Sequence, residues 1–225
     1  MEIKLSNVDL SVINALRRTI IADLEIYAIG NVKIEETNTP LIHESVTHRL
    51  EMIPVIQNNN QVKEGQKLTV NVKTDKESIN VLSDDIRIGK DCPFVKDLLI
   101  IELRIGIDVK EYIKMSGEIV KGTAKDNAKF QCVTVAGIKN DNTLTFRSRG
   151  QLTEKEILKR GINRLLKRLN EFKESIENDN SNKVRIEKTG DLQMIMIDNE
   201  DDTLGNMIQK VLLPYYDFVS YNKTH

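Results

Sequence analysis

Two thirteen-residue segments near opposite ends of the chain share one pattern, and that repeat limits what the chain can fold into. Setting "DLSVINALRRTII" (residues 9–21) over "DDTLGNMIQKVLL" (residues 201–213) pairs Asp9 with Asp201, Ser11 with Thr203, Asn14 with Asn206, Arg18 with Lys210 and Ile20 with Leu212. Each segment reads as a capped amphipathic helix. In the first, Ile13, Leu16, Ile20 and Leu24 recur at helical spacing behind Ser11 as N-cap. In the second, Thr203 is the expected cap, and Asp198, Glu200, Asp201 and Asp202 lie where unpaired amides and the positive end of the helix dipole favour acids without any ion. Both segments are flanked by strand-like sequence. The repeat therefore predicts two small units of one kind, each offering a helix that packs against the other.

Between the copies, "YAIGNVKIEET" reads as a strand, and "HESVTHRLEMIPV" as a shorter helix ended by Pro54. The polar run "QNNNQVKEGQ" is a loop or hairpin tip. "KLTVNVKT", "DLLIIELRIG" and "KFQCVTVAGI" are rich in Val, Ile and Leu and make the middle of the chain β-rich. The longest helix opens with Thr153 and Glu156 in capping-box spacing. It then carries Leu158, Ile162, Leu165, Leu169, Phe172 and Ile176 in alternating steps of four and three, a stripe that wants a helical partner. Residues 178–183 form a polar linker, and "VRIEKTGDLQMIMIDNE" reads as two strands about a Gly190–Asp191 turn.

Several chemistries fail on spacing. His43 and His48 flank Glu44 but lie five apart, whereas a zinc-protease helix needs four, so a partly buried histidine on a packing helix is the expected role. Cys92 and Cys132 are too far apart for a CxxC metal knuckle. "GTAKDNAK" and "GKDCPF" lack the Gly-Lys-Ser/Thr ending of a phosphate loop. The acids of residues 198–202 lack the ligand spacing of a calcium loop and have no accompanying base or nucleophile. No catalytic residue, cofactor or metal is therefore expected. With a net charge of -1, bulk charge selects neither nucleic acid nor an anionic membrane. No apolar run approaches the roughly 20 residues of a membrane helix, and the N-terminus has no signal-peptide pattern, so an intracellular protein is expected. The basic positions Lys155, Lys159, Arg160, Arg164, Lys167 and Arg168 are interrupted by glutamates, which predicts a solvated helix face. Arg17 and Arg18 divide evenly between surface charge and a forked contact to a partner's carboxylates.

"NALRRTIIADLEIYAIGNVKIEETNTPLIHESVTHRLEMIPV", "DLLIIELRIGIDVKEYIKMSGEIVKGTAKDNAKFQCVTV" and "LTFRSRGQLTEKEILKRGINRLLKRL", in that order, resemble one family. They are similar to the α-like assembly subunits of multisubunit RNA polymerases: bacterial α, the archaeal D subunit and the third-largest subunit of eukaryotic polymerase II. "DLQMIMIDNEDDTLGNMIQKVLLPYYDFVSYNKTH" resembles the smaller α-like partner, the archaeal L subunit and its eukaryotic counterpart, on the acidic start at Glu200, Asp201, Thr203, Leu204, Gly205 and Asn206. Together the matches imply a fusion of two α-like subunits in one chain, similar to those of large DNA viruses.

The resemblance implies an α+β fold. Residues 1–37 with 121–177 would form the first α-like dimerisation domain, 38–120 an inserted β-rich domain, 178–183 the linker, and 184–225 a second, apparently incomplete α-like unit. His48, Arg49, Ile53 and Pro54 match the helix and exit of the inserted domain, and Lys125, Ala128, Lys129 and Phe130 the return from it. Asn14, Arg17, Arg18, His48 and Arg49 would face the two largest subunits. Leu16, Ile20, Thr203, Leu204, Gly205, Asn206, Leu158, Ile162, Leu165 and Leu169 would form a pseudo-dimer interface, with Gly205 permitting close helix approach near Asn14. The function implied is noncatalytic assembly of a DNA-directed RNA polymerase. Partners would be its other subunits, with DNA and RNA met only through the complex and no membrane. A viral chain would work in the virion or host cytoplasm, or in the nucleus. Glu51 stands where the family commonly has Gly, which should change the end of that helix. The smaller subunit normally continues past the position of His225 through a strand and a long helix, so either further sequence or another chain is expected to cover the stripe on residues 158–176. The rival readings are an independent regulatory or nucleic-acid-binding protein using the basic helix 153–177, and an acid-dependent metalloenzyme.

Overall fold

The computed structural model describes residues 1–57, 62–74, 77–89, 92–105, 109–140, 142–177, 184–198 and 200–223; the linker expected at 178–183 lies outside them. The fold mixes helices with small antiparallel sheets. The first half runs β1 (Glu2–Lys4), α1 (Leu10–Ala22), β2 (Ile26–Thr37), α2 (His43–Glu51), β3 (Lys67–Lys73), β4 (Ser78–Leu82) and β5 (Leu99–Arg104). The second runs β6 (Tyr112–Gly122), β7 (Val133–Lys139), β8 (Thr143–Ser148), α3 (Glu154–Glu177), β9 (Val184–Thr189), β10 (Leu192–Ile197) and α4 (Asp202–Leu212). The sheets have strand orders β1-β8-β7, β2-β6-β3, β4-β5 and β10-β9.

Two apolar cores form on either side of the long β2–β6 ribbon. One gathers Ile13, Leu16, Ile20 and Ile26 with Phe130, Leu144, Phe146, Ile157 and Leu165, and takes in Met207 from α4. The other gathers Ile29, Leu50, Leu68, Val81, Ile101 and Ile113. Adjacent residues of the ribbon feed opposite cores, as side chains alternate along a strand: Ala28 enters the first and Ile29 the second. The seam is pinned by polar contacts. Arg149 donates to the carbonyls of Met52 (2.9 Å) and Gln131 (3.3 Å), and Lys129 pairs with Glu51 at 3.1 Å. Burial pulls the Arg149 pKa down. Glu51, at the end of α2, thus ties that helix to the other core.

Helix α2 ends before Pro54 as expected, but His43 and His48 are both exposed, which corrects the expectation of a partly buried histidine. Its packing side chains are Val46 and Leu50. β9 and β10 pair from Val184↔Ile197 to Thr189↔Leu192 about Gly190, whose φ of +61° is a left-handed value that glycine adopts without Cβ strain.

Candidate helix-pairing interface

Helices α1 and α4 begin alike, though not at the residues expected to cap them. Asp9 and Asp201 have extended backbone, and each carboxylate accepts the amide two residues on, from Ser11 at 2.7 Å and from Thr203 at 3.0 Å. An aspartate there satisfies an orphan helix amide as well as a hydroxyl does. Ser11 and Thr203 therefore lie inside their helices, where both are buried.

The helices cross head to tail. Arg18, late in α1, donates from Nε to the Thr203 hydroxyl at 2.8 Å, turning that guanidinium towards the other helix. At the other end Lys210, late in α4, acts on Asp9, whose pKa is lowered chiefly by its hydrogen bonds from Ser11 and further by this cation. In the repeat, Arg18 corresponds to Lys210 and Asp9 to Asp201, so each helix brings a late cation towards the start of the other, as an approximate twofold axis would. Leu204 and Met207 face inward from α4 beside Thr203.

Four segments converge on a buried ionic cluster beside this crossing. Arg168 on α3 is 8% exposed. It donates from Nη1 to Asp23 at 2.9 Å, and from Nη2 to Glu200 and to Asp201 at 3.0 Å. Lys125 bridges the same acids, 2.7 Å from Asp23 and 2.9 Å from Asp201. Asp23 caps the end of α1, and Asp201 starts α4, so the cluster ties the end of one copied helix to the start of the other.

Burial alone would raise the Asp201 carboxyl, but bonds from Lys125, Arg168 and Thr203 outweigh it and hold the group well below the usual carboxylate range. Burial likewise opposes the Arg168 charge, and Glu200 and Asp201 more than restore it. Because the folded pKa of Asp201 lies below its unfolded value of about 3.9, its stabilisation is complete above that value and is lost as pH falls towards the folded one. The urea midpoint should hold between pH 7 and about 5 and drop below about 4. Asp201→Asn should flatten that acid slope.

Other expected site residues are placed as follows. Gly161, not Gly205, lies where helices meet closely: a Cβ there would be 2.8 Å from Ile20 Cγ1 and 3.3 Å from Leu16 Cδ1, whereas one on Gly205 would meet the ring of Tyr221. Helix α3 buries Ile157, Gly161, Leu165 and Arg168. Leu158 and Leu169 pack at the edge of the core, but Ile162 is 41% exposed and Ile176 48%. The basic face of α3 is not uniformly solvated either, since Arg168 is buried and Arg160 pairs with Glu156 at 3.1 Å. Arg17 donates to Asn14 at 3.0 Å. Arg49 is exposed and donates to the Ile100 carbonyl at 3.2 Å.

Asp23 and Arg168 lie outside the set of site residues expected from the sequence. Arg168 had a signal: it lies three residues past Leu165 on the face that Ile157 and Gly161 share, and a cation on a packed face needs acids. The surplus of acids at residues 198–202 was the other half of that signal.

Residues 2–90 match the RNA polymerase Rpb3/Rpb11 dimerisation domain. The chain is 26% identical to the DNA-directed RNA polymerase subunit Rpo3 of Methanocaldococcus jannaschii over 73% of its own length and 84% of that protein. It is 30% identical to the Rpo3 of Pyrococcus horikoshii over 56% of its own length and 50% of that protein. It is also 46% identical to the DNA-directed RNA polymerase II subunit rpb3 of Dictyostelium discoideum, over 24% of its own length. That match spans 18% of the Dictyostelium protein. These similarities support an α-like RNA polymerase subunit.

Proposed function

We propose that the chain is a noncatalytic assembly subunit of a DNA-directed RNA polymerase, in which two α-like units joined in one chain form a pseudo-dimer that docks the two largest subunits. The observation that carries this reading is the head-to-tail pairing of α1 with α4, closed by Arg18 on Thr203 and by the Arg168 cluster. It occurs in a chain whose N-terminal part matches a dimerisation domain. In this reading residues 38–120 are an insertion whose core is shared with Ile29 of β2, and residues 184–225 are the smaller partner joined in cis, as in a viral fusion. The chain would act inside cells, in the virion or host cytoplasm or in the nucleus, and the polymerase's magnesium chemistry would belong to the large subunits. Arg18 is assigned to pairing within the chain. Docking falls to Asn14, Arg17, His48 and Arg49, and the bare positions Ile162 and Ile176 are offered to another chain of the assembly. The nucleic-acid reading of α3 is weaker because Arg160 and Arg168 are bound to carboxylates of the chain itself.

Combining Asn14→Ala with Arg17→Ala should lower recovery of the two largest subunits on co-expression by at least about tenfold, or about 1.4 kcal/mol. The melting temperature should stay within about 2 °C, because a half-exposed pair contributes little to stability. Unchanged recovery would remove these residues from the docking surface.

A further inference from the structure

The repeat that builds the interface also creates a competitor for it. If α1 and α4 are alike and cross about an approximate twofold axis, then α1 of one chain could cross α1 of a second copy about a true one. The repeat register shows what that competitor would bring to the seam. Thr203, Leu204 and Met207, buried on α4, correspond to Ser11, Val12 and Ala15 on α1, and Glu200 corresponds to Val8.

Each of these residues is larger on α4 than its counterpart on α1. In each of these pairs the larger side chain stands on α4, and Met207 reaches the first core. An α1–α1 crossing would bring Ala15 where Met207 fills space, and Val8 where Glu200 accepts from Arg168 Nη2. The shared features, an aspartate cap and a hydroxyl for Arg18, would survive the exchange and so cannot discriminate.

We propose that Met207 and Glu200 make this seam selective for unlike helices, so that the chain closes on its own α4 and excludes α1 of a second copy. This rests on the in-chain pairing proposed above. The selectivity has two sources. Losing Met207 leaves a void in a close-packed core. Losing Glu200 leaves a buried guanidinium short of an acceptor and facing an apolar side chain.

The test uses the full chain with a protease site inserted between Glu177 and Val184, and gives α4 the residues of α1 by combining Glu200→Val with Met207→Ala. Size-exclusion chromatography with light scattering is run before and after cleavage. The wild-type chain should be monomeric, and its halves should stay together once cut. The double variant should release its smaller half and gain at least about tenfold in self-association, through α1 of the larger half. If wild-type halves separate on cutting, the in-chain pairing itself is wrong. If they hold together in both proteins and the double variant stays monomeric, pairing stands and selectivity is overturned. Should the double change unfold the chain by circular dichroism, the single Met207→Ala variant, which removes no charge, decides by the same two readouts.

Discussion

Replacing Arg168 with Met is expected to lower the unfolding free energy by about 3–5 kcal/mol, the usual cost of removing one partner from a buried ion pair. The change leaves Asp23, itself 5% exposed, and Asp201 with Lys125 as the cation that still reaches both, and takes one donor from Glu200. Against a typical domain stability of roughly 5–15 kcal/mol, such a loss is large. Arg168→Lys should recover only part of it, because one ammonium cannot reproduce a guanidinium that reaches Asp23 from Nη1 and two acids from Nη2. Urea unfolding at pH 7 measures both variants. A loss below about 1 kcal/mol, the range of exposed ion pairs, would mean that the cluster does not hold α1, α3 and α4 together.

Enlarging Gly161 to Leu should have the next largest effect. The added side chain must enter between α3 and α1, where Ile20 is fully buried and, as a β-branched residue on a helix, holds one strongly preferred χ1 rotamer. Overpacking of this kind costs about 1–3 kcal/mol, or about 2–4 °C of melting temperature per kcal/mol at this size. Gly161→Ala should be milder, because its first methyl meets the same atoms but alanine recovers up to about 1 kcal/mol of helix propensity. A melting temperature unchanged by the leucine would contradict the close approach.

These two residues also show where the sequence was hard to read. Periodicity located α1, α3 and α4, and the repeat anticipated that the first and last are capped helices of one kind that pack against each other. The inward face of α3 is not legible from apolar residues alone, since Ile162 and Ile176 of the apolar stripe are largely exposed. The true inward face runs through Ile157, Gly161, Leu165 and Arg168, a helical spacing in which a glycine and an arginine stand where apolar side chains were expected. Glycine belongs there because a neighbouring helix presses close. Arginine belongs there because acids from two other segments meet it, and neither fact is local. The caps were misplaced by two residues because aspartate, serine and threonine all suit the role, and only backbone conformation tells which one leaves the helix. Gly205 was assigned to helix approach, yet the chain after α4 folds back, with the Gln209 side chain donating to the Val219 carbonyl at 2.9 Å, and lays Tyr221 against that glycine.

The central claim is that the chain organises the large subunits of an RNA polymerase. Its most direct test is affinity capture of the tagged chain from its native source at moderate salt, with mass spectrometry of what is retained. The account predicts that the two largest polymerase subunits are recovered in near-equal amounts with the chain, and that nuclease treatment leaves their recovery unchanged. Capture of nucleic acid without those subunits, lost on nuclease treatment, would contradict it and favour the basic helix as a binding surface.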